Sequence, residues 1–101
     1  MRRATGLKNF YDRAAWRKQT IPFILSRDPF CKIAILCEGR APSIDVDHIV
    51  RAELYIALHG GDSVWFYDRD NLQGACHADH SHKTMREQVG AWQETGGGPF
   101  F

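Results

Sequence analysis

Ile44-Asp45-Val46-Asp47-His48-Ile49-Val50 alternates apolar and polar side chains and predicts a strand with a carboxylate beside an imidazole near its end. That pair suits hydrolysis. An imidazole takes a proton from water near neutral pH, and a carboxylate is a hard oxygen ligand for Mg²⁺ or Mn²⁺. Neighbours on an ideal strand point to opposite faces. Asp47 and His48 therefore serve one phosphate only if it lies at the strand edge or the strand bends there. Taken alone, such a pair reads more readily as a surface aspartate and a half-buried histidine.

A second stretch changes that balance: Asn71-Leu72-Gln73-Gly74-Ala75-Cys76-His77-Ala78-Asp79-His80-Ser81-His82-Lys83-Thr84. On a helix, Cys76, Asp79, His80 and Lys83 fall at i, i+3, i+4 and i+7 and share one face, which is ligand-like spacing. His77 and His82 fall elsewhere on that helix. The helix is expected from about Ala75 to Trp92, weakened at Gly90.

Outward from these stretches, residues 9–26 predict a helix, with Tyr11, Ala14, Ala15, Lys18 and Ile21 spaced for one face and Pro22 interrupting it. Arg27-Asp28-Pro29 is a turn. Ile33-Ala34-Ile35-Leu36 is a strand or a buried turn. Residues 51–59 predict a helix stopped by Gly60-Gly61, Val64-Trp65-Phe66-Tyr67 a short extended piece, and Asp68-Arg69-Asp70-Asn71 a turn. Trp16, Trp65 and Phe66 are expected in the core, and His59 as a helix-end residue without chemistry. The glycine-rich tail, 95–101, is expected to be disordered.

The whole chain of 101 residues fits one domain, expected over 1–94. A short two-stranded unit with a helix buries little apolar surface, so a metal staple is expected. The net charge of +1 hides an asymmetry: residues 1–30 carry net +5 and the remainder net −4. A basic arm meets phosphates, and an acidic body collects metal. Three cysteines, with no apolar signal core after the basic N-terminus, argue against a disulfide framework. No apolar run approaches the ~20 residues of a membrane helix. The expectation is a cytoplasmic protein without a membrane partner.

Asp47-His48-Ile49, Asn71-Leu72-Gln73 and Cys76-x-x-Asp79-His80-x-x-Lys83-Thr84, in that order, resemble the HNH endonucleases of the ββα-metal superfamily. More narrowly, the chain is similar to the small HNH proteins of tailed phages and prophages, over roughly residues 10–88. Tyr11-Asp12-x4-Arg17 and Arg27-Asp28-Pro29-Phe30-Cys31 match the usual lead-in. The resemblance implies an α+β fold, a ββα-metal core over about 31–92 behind a basic N-terminal helix, and metal-dependent DNA cleavage. It implies His48 as general base, Asn71 as the brace of the loop carrying it, and His80 with Asp47 as ligands of one Mg²⁺ or Mn²⁺. It also implies a phage protein working in a bacterial host beside terminase and portal during DNA packaging.

The chain departs from the family where two Cys-x-x-Cys pairs are usual. Asp79 stands in for the last cysteine, and Cys37 follows Cys31 at wider spacing. A structural Zn²⁺ held by Cys31, Cys37, Cys76 and Asp79, with His77 or His82 as the alternative fourth ligand, is one expectation; buried thiols without metal are the other. Arg13, Arg17, Lys18, Lys83 and Arg86 are expected DNA contacts. The alternative function is a non-catalytic zinc-binding DNA or protein adaptor with a degenerate HNH core.

Overall fold

The alternation at Ile44–Val50 produces a short strand, β1 (Asp45–His48), in a computed structural model that describes residues 7–90. Its antiparallel partner is β2 (Leu72–Ala75), with Asp45 opposite Ala75, Asp47 opposite Gln73 and His48 opposite Leu72. The fold is α+β, and β2 leads directly into helix α4 (His77–Gln88), which gives the ββα order. Gly74 in β2 is required by close approach. A Cβ there would lie 2.5 Å from Ser43 Oγ and 2.7 Å from the Asp28 carbonyl oxygen.

The second strand is thus Leu72–Ala75 rather than Ile33–Leu36. Four residues containing a glycine carry too little alternation to signal a strand. Residues 33–36 instead belong to an irregular loop with left-handed backbone at Ala34 (φ 58°) and Glu38 (φ 57°). The loop is tied to β2 by Lys32 N–H donating to Gly74 O at 2.9 Å.

The N-terminal helix is not continuous over 9–26. Helix α1 (Lys8–Asp12) ends where Arg13 turns extended (ψ 147°). Helical backbone resumes at Ala14, widens into a π turn at Trp16–Thr20 and continues as α2 (Ile21–Arg27). Pro22 lacks an N–H, and its ring would crowd a regular turn; the wider turn before it accommodates both. The buried stripe is Trp16, Thr20 and Ile24, whereas Ala14, Ala15 and Lys18 face outward. The large apolar side chains take the inside because they remove the most surface from water.

Between the strands, α3 (Ala52–Leu58) fits the expected helix to within a residue at each end. Ser63–Tyr67 is a 3₁₀ turn rather than extended chain, because Asp62 caps it by accepting from Val64 N–H at 3.0 Å. Two apolar clusters result. Leu7, Trp16, Ile24, Val46, Ala52, Phe66 and Leu72 form the larger; Cys31, Ile33, Ala75 and Cys76 form the smaller, beside the loop. Arg2, Arg3, Trp92 and the tail 95–101 lie outside the described residues.

The end of α2 is clamped to β2. The Arg27 guanidinium donates to Asp28 and to Leu72 O at 2.6 Å, and Asp28 accepts from Gly74 N–H at 3.1 Å. The hydrogen bond from Arg27 outweighs the cost of burial and, with the Gly74 N–H, holds the Asp28 carboxyl below its ordinary 3.8. A lowered folded-state value means that the contribution is complete above pH ~4 and disappears as pH falls through the folded value. Urea midpoints of chelator-treated protein at pH 7 and pH 3 should therefore differ less for Asp28→Asn than for wild type. Equal differences would remove Asp28 from the acid transition.

Candidate metal centre and base

Alternation along β1 puts Asp45 and Asp47 on one side, toward α4. Asp47 is buried, and its Oδ2 accepts from Gln73 Nε2 at 2.9 Å across the sheet. His80 projects from α4 between the two carboxylates. Its Nδ1 lies 3.1 Å from Asp45 Oδ2 and its Nε2 3.6 Å from Asp47 Oδ1. Because a carboxylate only accepts, Nδ1 carries the proton. In the neutral ring, Nε2 then directs a lone pair toward Asp47. An imidazole nitrogen and a carboxylate oxygen facing one gap fit a divalent cation, and Asp45 supplies the outer carboxylate that commonly orients such a histidine.

Lys83 stands behind this pair. Its side chain is completely buried, with Nζ 3.3 Å from Asp47 Oδ2, 2.6 Å from Glu87 Oε2 and 2.8 Å from the His48 carbonyl oxygen that it donates to. This corrects its assignment as a DNA contact: the ammonium is buried and taken up by Asp47, Glu87 and the His48 carbonyl. Arg86 on α4, and Arg13, Arg17 and Lys18 on the N-terminal segment, are exposed.

His48 ends β1 and is buried. Its Nε2–H donates to Phe66 O at 3.0 Å, which makes Nδ1 the basic nitrogen of the neutral ring. Asn71 braces the turn after the strand from both sides: Oδ1 accepts from Val50 N–H and Nδ2 donates to Val50 O, each at 2.8 Å. The geometric difficulty of neighbouring side chains is met at the strand end. Asp47, His48 and His80, with Arg51, Thr84 and Glu87, border one cleft of about 80 Å³.

A second cluster sits at the start of α4. Ligand atoms of Cys31, Cys37, Cys76 and Asp79 all lie within 4.8 Å of one another, a group able to hold a metal ion. His77 and His82 do not belong to it; His77 is exposed, with Nδ1 3.4 Å from Asp45 Oδ2. The Cys31 and Cys76 thiols donate to Asp79 Oδ2 at 3.4 and 3.5 Å, and Leu36 N–H donates to Oδ1 at 2.7 Å. Burial alone would raise the Asp79 carboxyl. The Leu36 N–H, the Cys37 and Cys31 thiols and the Cys37 N–H outweigh it and bring the group to about 2. Burial pushes the Cys76 thiol up to about 12; the Asp79 N–H opposes this, and the two neighbouring thiols add to it. Three sulfurs and a carboxylate suit a soft-to-borderline ion that displaces thiol protons.

Of the residues the sequence pointed to, the structure brings Asp47, His48 and His80 to one cleft and Cys31, Cys37, Cys76 and Asp79 to one cluster. The sequence did not point to Asp45, Gln73 or Glu87, which touch these residues or Lys83. The signal for Asp45 was the i, i+2 spacing to Asp47 on a predicted strand. Gln73 became visible only with the register of β2.

No protein-family description and no curated protein sequence matches the chain. Among solved structures, the chain is similar to the crystal structure of a deep-sea thermophilic bacteriophage GVE2 HNH endonuclease with manganese ion. The TM-score is 0.64 and the identity 26%, and the match covers 83% of this chain and 84% of that one.

The orienting role of Asp45 has a measurable consequence. Asp45→Ala should weaken Mn²⁺ binding, followed by titration calorimetry, by about 10–100-fold. His77→Ala, which touches the same carboxylate from the surface, should leave it near wild type. Unchanged affinity in Asp45→Ala would remove the residue from the site.

Proposed function

From this HNH-like ββα-metal fold, we propose that the chain is a metal-dependent DNA endonuclease. The observation that carries the proposal is one cleft bordered by the facing donors of Asp47 and His80 and by the buried imidazole of His48. The fold's likeness to an HNH endonuclease crystallised with manganese supports it.

Asp47 and His80 would hold one Mg²⁺ or Mn²⁺. When bound, such an ion stabilises charge developing on the scissile phosphate and the leaving 3′ oxygen. His48 takes the proton of the attacking water on Nδ1, while Nε2–H stays on the Phe66 carbonyl and keeps the tautomer. Asn71 holds the backbone after the base in place through Val50. Lys83 places a positive charge behind Asp47 and Glu87 and anchors the Asp47 carboxylate from the side away from His80. Exposed Arg13, Arg17, Lys18 and Arg86 are the proposed phosphate contacts.

For the cysteine cluster we propose Zn²⁺, because three thiol sulfurs and one carboxylate form a small four-donor group. From the resemblance to small phage HNH proteins we also propose a role beside terminase and portal in a bacterial host cell; the similar structure is itself of a bacteriophage protein.

Two measurements test these assignments. Supercoiled plasmid is incubated with Mg²⁺, Mn²⁺ or Ni²⁺ and either wild type or His48→Ala. Nicking should fall at least ~100-fold in the variant. Equal nicking would remove the base, and no cleavage with any ion would favour the non-catalytic adaptor. Elemental analysis should find one zinc per chain, lost in Cys76→Ser. Zinc-free protein that melts at the wild-type temperature would end the zinc assignment.

A further inference from the structure

The imidazole of His48 lies among aromatic rings, two of them contributed from outside the ββα core. Trp16 stacks on it with the planes 3° apart and the centroids at 5.6 Å. Tyr11 stands edge-on to both, at 90° to His48 and 87° to Trp16. Phe66 closes another side at 4.6 Å, and its carbonyl receives the Nε2–H. Trp16 and Tyr11 both come from the N-terminal segment, whose basic residues were expected to meet phosphate.

We propose that Trp16 is a positioning residue of the reaction, holding the plane of the His48 imidazole through its indole face. This rests on the reading of His48 as general base. The hydrogen bond at Nε2 fixes one point of the ring, and rocking about the N···O line is the motion that a flat neighbour opposes. Rocking swings Nδ1, the atom that takes the proton, out of line. A parallel indole removes that motion, because the ring must break the stack or meet Tyr11 to turn. The interaction is directional and exceeds plain area burial. An aliphatic side chain of similar bulk would fill the space and leave the ring plane unset.

The local backbone agrees. Trp16 opens the π turn, and its carbonyl accepts from Ile21 N–H five residues on. Such turns occur often at functional sites because they redirect a side chain that a regular helix would point elsewhere. Here the wide turn brings Trp16 to 4% exposure, while Arg17 and Lys18, the next two residues, stay exposed. Phosphate contact and support of the base would therefore share one element.

The test compares Trp16→Leu and Trp16→Phe in plasmid nicking with Mn²⁺, with melting curves as a check on folding. Trp16→Leu should lose about 10–100-fold in kcat, with KM for DNA and the Mn²⁺ dissociation constant near wild type. Trp16→Phe, which restores a flat face, should recover most of it. Independently of activity, the His48 ring protons of the wild-type protein should resonate upfield of those of exposed His77, because the imidazole packs among the Trp16, Tyr11 and Phe66 rings. A folded Trp16→Leu with wild-type kcat, a loss confined to KM or metal affinity, or equal impairment in Leu and Phe variants would overturn the proposal. So would His48 ring protons at the His77 positions, a readout that stands even if Trp16→Leu does not fold. Wild-type protein that nicks with no ion would overturn the nuclease reading instead, leaving the stack to be judged by its resonances.

Discussion

Helix α4 meets the sheet through charges. Its two completely buried side chains are Asp79 and Lys83, one turn apart on the inner face. Two strands of four residues bury too little apolar surface to hold a helix by hydrophobic contact alone. Asp79 accepts from the Leu36 N–H and from thiols on its own side; Lys83 reaches Asp47, Glu87 and the His48 carbonyl on the other. Leaving either ion buried without its partners would cost several kcal/mol. That constraint fixes the height and rotation of α4, and both donor groups of the molecule follow from it.

The same constraint explains which parts of the site were legible in the sequence. Asp47, His48, Asn71 and His80 stood out because few residue types do their chemistry and their order matched a known pattern. The cysteine cluster was legible despite irregular spacing, since three thiols in a chain of this size have few other uses. Lys83 was misassigned because a lysine on a helix is normally solvated. Glu87 stands four residues on along the same helix, but nothing local announces Asp47 and the His48 carbonyl across space. Asp45 and Gln73 needed the strand register, which Leu72-Gln73-Gly74-Ala75 is too short to signal.

The fold was less legible than the site. The stretch at Ile33–Leu36 has the composition of a strand, yet it becomes the loop that delivers N–H groups to Asp79, and the left-handed residues Ala34 and Glu38 let it turn back. The N-terminal helix was anticipated with the wrong inner face, because periodicity counts assume a regular turn and Trp16–Thr20 is not one. In both places a tertiary demand, for donors in one case and for a flat ring in the other, overrode local preference.

Cys76 holds two posts at once. Its sulfur receives the Asp79 N–H that begins α4, and the same sulfur belongs to the metal-capable cluster. His80 follows within that first turn, so the direction of its imidazole is inherited from how the sulfur is engaged. On the proposed reading the two ends are then ranked, with the sulfur end set first and the Asp47–His80 pair inheriting its alignment. A cluster left unfilled would misalign that pair by fraying a helix start, without altering either of its residues.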